Sequence, residues 1–215
     1  PAVGFTPPEA RWRLLPRTIK ALQDCRALRV VMLGDSIIND TGNSAFDVRV
    51  ERMYRGAKVN IIPSVRGGTG CQYYKEENRV KEYVLDLRPE LLIIGGISNS
   101  DAESVRSVIR QVRAKMSVEI LVMTGALGSI DPRRIPGWKP TVAHGDTGYR
   151  ADLMRVAEDE SVEFLDLEGA WGKYIGDSDR PWEFFTRDVL HANERGRQVL
   201  GVIMERHFAP KNSGW

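Results

Sequence analysis

The chain has 215 residues, 42% of them hydrophobic and 28% charged, the balance of an ordinary globular protein with one compact core. Lys plus Arg total 31 against 29 for Asp plus Glu, a formal charge of +2 with no basic block, which argues against nucleic acid as a partner. With three histidines, His144, His191 and His207, an imidazole base working at neutral pH must be one of these.

Cys25 and Cys71 form no CxxC pair, so neither a zinc cluster nor a disulfide framework is indicated. The longest apolar runs, 28–33 and 90–96, fall far short of the roughly 20 residues of a membrane helix, which predicts a soluble protein without membrane insertion. The chain begins PAVGFTPP, with neither Met nor a signal-like stretch. It therefore reads as a processed form or a piece of a longer protein, which would suit a secreted or periplasmic location.

Five short apolar, β-branched runs have strand length: Leu28 to Leu33, Val59 to Pro63, Leu91 to Gly95, Glu119 to Thr124 and Val162 to Leu167. Segments with helical spacing separate them: Ala45 to Tyr54, Tyr73 to Leu87, Ala102 to Met116 and Tyr149 to Glu160, while Glu194 to Phe208 closes the chain. Strand then helix, repeated, predicts parallel strands joined by helical crossovers, and runs this apolar are covered on both faces. The expected fold class is α/β, a three-layer α/β/α sandwich on a five-stranded parallel sheet, in a single domain over residues 1–215. Ligands of such sheets bind beyond the carboxyl ends of the strands, so the residues after each run are where chemistry is expected. The Pro- and Gly-rich segment from Gly128 to Gly148 predicts a long irregular loop of functional length.

After the first run comes Gly34-Asp35-Ser36-Ile37, a hydroxyl placed like a nucleophile at a strand end, or a helix cap formed by Asp35 or Ser36. After the second comes Ser64-Val65-Arg66-Gly67-Gly68-Thr69-Gly70, whose glycines let backbone N–H groups approach a ligand, or simply turn the chain. After the third comes Gly96-Ile97-Ser98-Asn99-Ser100-Asp101, where Asn99 could donate into the same cleft and Ser100 or Asp101 is suited to cap the next helix. Before the last helix, Asp188-Val189-Leu190-His191 has the spacing for a carboxylate to hold the imidazole Nδ1–H and leave Nε2 as base.

Four blocks in this order, spanning residues 34 to 191, resemble those of the SGNH, or GDSL-type, hydrolase superfamily. Gly34-Asp35-Ser36-Ile37 matches the first block with Ile in place of the usual Leu. The second-block glycine falls at Gly68, with Gly67 as the alternative. The third block, usually Gly-x-Asn-Asp, here carries one extra residue and no following Asp, and Asn99 is its counterpart. Asp188 and His191 match the final block in full, and Asn193 and Gly196 resemble its continuation.

The resemblance implies a flavodoxin-like sheet and acyl transfer to water, with Ser36 as nucleophile, His191 as base and Asp188 orienting the imidazole. It implies an oxyanion hole from Ser36, Gly68 and Asn99, and no metal or organic cofactor. The expected partner is an ester, on a small molecule or a polysaccharide, with O-acetyl groups on carbohydrate favoured and a uronate methyl ester as a variant. Asp35, Arg66, Arg133, Arg134, Trp138 and His144 are the candidates for substrate contact, as parts of a cationic and aromatic rim that also includes Lys139. Competing readings are a lysophospholipase, thioesterase or acyltransferase on the same Ser36 and His191, and a non-catalytic carbohydrate-binding relative.

Overall fold

The computed structural model describes residues 3–4, 11–76, 78–99, 101–126 and 131–210. In chain order the elements are α1 (Arg11–Leu14), α2 (Pro16–Gln23), β1 (Ala27–Gly34), α3 (Ser36–Gly42), α4 (Phe46–Met53), β2 (Lys58–Val65), α5 (Cys71–Tyr74) and α6 (Arg79–Tyr83). They continue with β3 (Leu91–Ile94), α7 (Ala102–Arg113), β4 (Glu119–Met123), α8 (Tyr149–Asp159), β5 (Glu163–Leu165), α9 (Leu167–Gly176) and α10 (Glu194–His207).

The five strands pair in the order β2-β1-β3-β4-β5, all parallel, the flavodoxin-like order expected above. Side chains alternate across each strand and so feed two separate cores. Leu28, Val30 and Met32 of β1 join Leu91 and Ile93 of β3 on the face covered by α2, α3, α4, α9 and α10. Val31 and Leu33 join Leu92, Ile94, Ile120 and Val122 on the face covered by α5 to α8. Many of these side chains are fully buried, each removal from water contributing about 1.5–3 kcal/mol. The result is the three-layer sandwich.

Helix α7 shows the local logic. Val105, Val108, Ile109 and Val112 recur at helical spacing and are buried, and Asp101 caps the first turn by accepting the N–H groups of Glu103 at 3.1 Å and Ser104 at 3.4 Å. The expected single helix from Tyr73 to Leu87 is instead broken into α5, α6 and a 3₁₀ turn at Leu85–Leu87. The chain doubles back so that the Tyr73 and Tyr74 rings meet Tyr83 edge-on, with centroids 6.0 and 5.1 Å away. One straight helix would hold Tyr73 and Tyr83 about 15 Å apart along its axis. Closure of this aromatic cluster outweighs the helical pattern.

Two buried features lie away from the strand ends. His207, the last residue of α10, is fully buried, its Nε2 3.8 Å from Glu163 Oε1. Cys25 and Cys71 are free thiols, and burial pushes the Cys71 thiol up to about 12. No helix among the described residues is long and apolar enough to cross a membrane.

Candidate active site

Strand β1 ends at Gly34 and α3 begins at Ser36, so the turn between them sits at the carboxyl end of the strand. Asp35 occupies the cap position with extended backbone. One of its carboxylate oxygens accepts Ile37 N–H at 2.9 Å and Ile38 N–H at 3.4 Å. The other accepts Ile97 N–H and Ser98 N–H, both at 2.8 Å. At 1% exposure and with both oxygens engaged by backbone, Asp35 is not a substrate contact. It is a brace tying the Ser36 turn to the loop after β3. Gly96 makes that brace possible: its φ is +120° and a Cβ there would stand 2.7 Å from Asp35 Oδ1.

Ser36 Oγ lies 2.8 Å from His191 Nε2. On the far side of the ring, His191 Nδ1 lies 2.9 Å from each oxygen of Asp188. Asp188 also accepts the backbone N–H groups of Leu190 and His191, both at 2.8 Å. Those two amides, with the imidazole behind them, hold the Asp188 carboxyl down at about 2. An aspartate fixed this way directs Nδ1–H toward itself and leaves Nε2 as acceptor for the serine hydroxyl.

The loop carrying Asp188 and His191 is short and closed on itself. Thr186 and Ala192 form an antiparallel bridge, and Arg187 N–H donates to His191 O at 3.0 Å. Asn193 then caps α10, accepting Arg195 N–H at 2.9 Å and Gly196 N–H at 3.1 Å while its amide donates to Phe184 O and Thr186 O. Sequence reasoning missed the residue that locks this loop to α3. Asp40, at 1% exposure, accepts Ala192 N–H at 3.0 Å, Arg187 Nη1 at 2.9 Å and Arg197 Nη2 at 2.8 Å. The signal was available: Asp40 lies four residues after Ser36 on one helix, so the two share a face.

The loops after β2 and β3 complete the rim of the strand ends. Gly67 and Gly68 are exposed, Gly68 with φ +66°, and open space surrounds the position a Cβ would take at either. Asn99 is exposed with φ +50°. It does not cap α7, which Asp101 does.

The remaining rim candidates are distributed unevenly. Arg66 donates to the Tyr73 hydroxyl at 3.3 Å, its guanidinium 4.8 Å from that ring, and is exposed beside Gly67. Arg134 is exposed and lines a cleft of about 390 Å³ with Trp182, Glu183, Thr186, Asp188 and Val189. Arg133 is not a free cation at this rim: it chelates Asp131, Nη2 to Oδ2 at 2.8 Å, and donates to Ser178 O and Arg180 O. His144 is exposed, its Nε2 3.4 Å from Glu158 Oε1. Trp138 is half-buried, its ring laid on α9 at Gly172, where a Cβ would come within 2.3 Å of the indole. Lys139 pairs with Asp146 at 2.8 Å.

No protein-family model and no curated protein matches the chain. Solved structures do match. A two-domain esterase (CEX) active on acetylated mannans, co-crystallised with mannopentaose, superposes with a TM-score of 0.69 at 15% identity over 90% of this chain. The matched region is 52% of that esterase, so this chain spans about half its length. The acetyl xylan esterase AlAXEase gives a TM-score of 0.59 at 18% identity, covering 82% of this chain and 98% of that one. A variant of Axe2, an acetyl-xylooligosaccharide esterase from Geobacillus stearothermophilus, gives 0.67 at 13% identity, covering 86% and 95%. At these identities the likeness is one of fold.

Proposed function

We propose that this chain, which has the fold of the SGNH-type carbohydrate esterases, is a serine hydrolase of carboxylic esters, acting on O-acetyl groups of a carbohydrate. The observation that carries the reading is the continuous line from Ser36 Oγ through His191 to Asp188, with links of 2.8 and 2.9 Å. Ser36 attacks the ester carbonyl as His191 Nε2 takes its proton, and the same nitrogen delivers that proton to the leaving alcohol. Water then attacks the acyl-enzyme by the reverse proton route. Asp188 stabilises the imidazolium without taking its proton. The backbone N–H groups of Ser36 and Gly68 and the Asn99 amide receive the developing oxyanion, each such donor being worth about 2.7–4 kcal/mol.

The acetyl-carbohydrate preference is supported by what CEX and Axe2 are described as acting on. A second reading has one observation in its favour. Val189 and Leu190, between Asp188 and His191, are 71% and 39% exposed, an apolar step that a longer acyl chain could cover. A chain-length series of p-nitrophenyl esters, set beside acetylated and methyl-esterified saccharides, separates the two. Faster turnover of long acyl chains would reject the carbohydrate reading. Ser36→Ala and His191→Ala should each abolish nearly all hydrolysis of p-nitrophenyl acetate and, for Ser36→Ala, labelling by a fluorophosphonate. Full activity in Ser36→Ala would overturn the hydrolase reading altogether.

A further inference from the structure

At the carboxyl ends of β3 and β4 a cleft of about 580 Å³ opens that the proposed ester chemistry leaves unused. That volume is in the range of small-molecule sites. Its walls include Ile97 after β3, Thr124 after β4, Trp138 and Tyr149 from the long loop and the start of α8, and Glu168 in the first turn of α9. Resting on the hydrolase reading, we infer that this cleft is a subsite for a neutral sugar residue of the substrate glycan, adjoining the residue that bears the ester.

The first argument is position. Asp35, the residue before Ser36, accepts the N–H of Ile97 in the cleft wall. In the sheet β3 lies next to β1 and β4 lies one further on. The cleft is therefore one to two strand spacings, roughly 5–10 Å, from the serine. That is the scale of a sugar ring beside an esterified neighbour.

The second argument is hydrogen-bonding chemistry. The Trp138 indole N–H and the Glu168 carboxyl face each other, yet no well-formed hydrogen bond satisfies the buried Nε1. That loose contact is what the Glu168 carboxylate receives from Trp138, while the Glu168 backbone N–H is held by Thr124 Oγ1 at 2.8 Å. Burial accordingly holds the Glu168 carboxyl above its usual range, despite the nearby Arg150. A hydroxyl group accepts from an indole N–H and donates to a carboxylate at once, so a sugar hydroxyl entering between the two, with a small shift of the Trp138 ring, would replace their poorly formed contact with two good hydrogen bonds. Trp138 and Tyr149 also set two aromatic side chains in the cleft wall, the residue type that packs against the C–H faces of a pyranose.

The third argument is charge. Both cations among the described lining residues are already matched: Lys139 to Asp146 at 2.8 Å and Arg150 to Asp166, Nε to Oδ1 at 2.7 Å. A uronate would find no unpaired cation there and would face Glu168 instead. The cleft therefore selects a neutral glycan, which sets acetylated neutral polysaccharide above methyl-esterified polyuronate.

The test uses Ser36→Ala protein, titrated with mannopentaose, xylotetraose and tetragalacturonate and followed by tryptophan fluorescence and calorimetry. A neutral oligosaccharide should bind at least tenfold more tightly than tetragalacturonate. Trp138→Phe, which keeps a ring against Gly172 but removes the N–H, and Glu168→Ala should each weaken that binding about tenfold. In the otherwise unmodified protein, the same changes should lower kcat/KM on an acetylated oligosaccharide about tenfold relative to kcat/KM on p-nitrophenyl acetate. Unchanged oligosaccharide binding in both variants, or preference for tetragalacturonate, overturns the subsite. If Trp138→Phe fails to fold, Glu168→Ala decides alone. Absence of ester turnover and of fluorophosphonate labelling in the unmodified protein would overturn the hydrolase reading instead, while the titration would still decide on the cleft.

Discussion

Asp40 accepts the backbone N–H of Ala192 at 3.0 Å, and Ala192 is the residue that follows His191. Because Asp40 lies one helical turn beyond Ser36 on α3, a single buried carboxylate fixes the distance between the hydroxyl and the imidazole. Arg187 and Arg197 complete its shell. Asp40→Ala should leave the Ala192 N–H and the Arg197 guanidinium without this acceptor, take one of several partners from Arg187, and destabilise the fold by roughly 1–3 kcal/mol in urea unfolding. Asp40→Asn, which keeps an acceptor for Ala192, should fold and lower kcat by up to about a hundredfold through misplacement of His191. An effect confined to stability, with kcat and its pH profile unmoved, would count against this positioning role.

Asp188 makes a second, separable prediction. Asp188→Asn should lower kcat about 10⁴-fold by presenting the wrong partner to Nδ1 while leaving the fold intact. Its acid behaviour follows from the backbone amides of Leu190 and His191. Since the folded carboxyl sits at about 2, below the ordinary aspartate value of 3.8, it contributes stability that is present above pH 3.8 and is lost as pH falls toward 2. Thermal midpoints between pH 5 and pH 2 should therefore drop more steeply in the unmodified protein than in Asp188→Asn.

Glu168 should show the opposite sign. Burial raises its folded carboxyl above the ordinary glutamate value of 4.5, so the stability linked to its proton is present below pH 4.5 and is lost as pH rises through the folded value. Glu168→Gln should remove that loss. The gap between variant and unmodified midpoints should widen in favour of the variant as pH rises out of the acid range, and a constant gap would show that the carboxyl is free to ionise.

Asn99 offers a test of the oxyanion assignment. Asn99→Ala should lower kcat about 10²–10³-fold with little change in KM. Its left-handed backbone, φ +50°, also makes Ala less favourable there by about 1–2 kcal/mol. Asn99→Gly tolerates that conformation but still lacks the amide, so it separates the two effects. Unaltered kcat in Asn99→Gly would remove this side chain from the oxyanion hole.

The five strands were legible because each carries a short apolar, β-branched run, buried on both faces in the central β3 and β4 and only in part in the edge strand β2, and β1 to β5 fall within a few residues of the expected runs. The chain order of Gly34-Asp35-Ser36, Asn99 and Asp188-Val189-Leu190-His191 was legible as well, since function at strand ends leaves short, dense signatures. Helix α9 was not. Gly169 and Gly172 dilute its helical pattern, and their purpose appears only when Pro140 O and the Trp138 ring are seen lying against them, 2.3 Å from where a Cβ would be. Asp35 was misread as a substrate contact because one local sequence cannot show that Ile97 and Ser98 arrive to fill its second oxygen. Arg133 was misread because the sequence does not show that Asp131, two residues before it, turns back to chelate it, nor that Ser178 O and Arg180 O arrive from far along the chain.

The brace at Asp35 also sets a timescale. Ile97 and Ser98 lie outside the sheet, in a loop whose amides would ordinarily exchange with solvent through small local openings. Here both amides donate to a buried carboxylate that simultaneously caps α3, so releasing either would also cost α3 its cap. Their protons should exchange at the pace of the central strands rather than of a loop, and the wall shared by the serine turn and the neighbouring cleft should open as one unit or not at all.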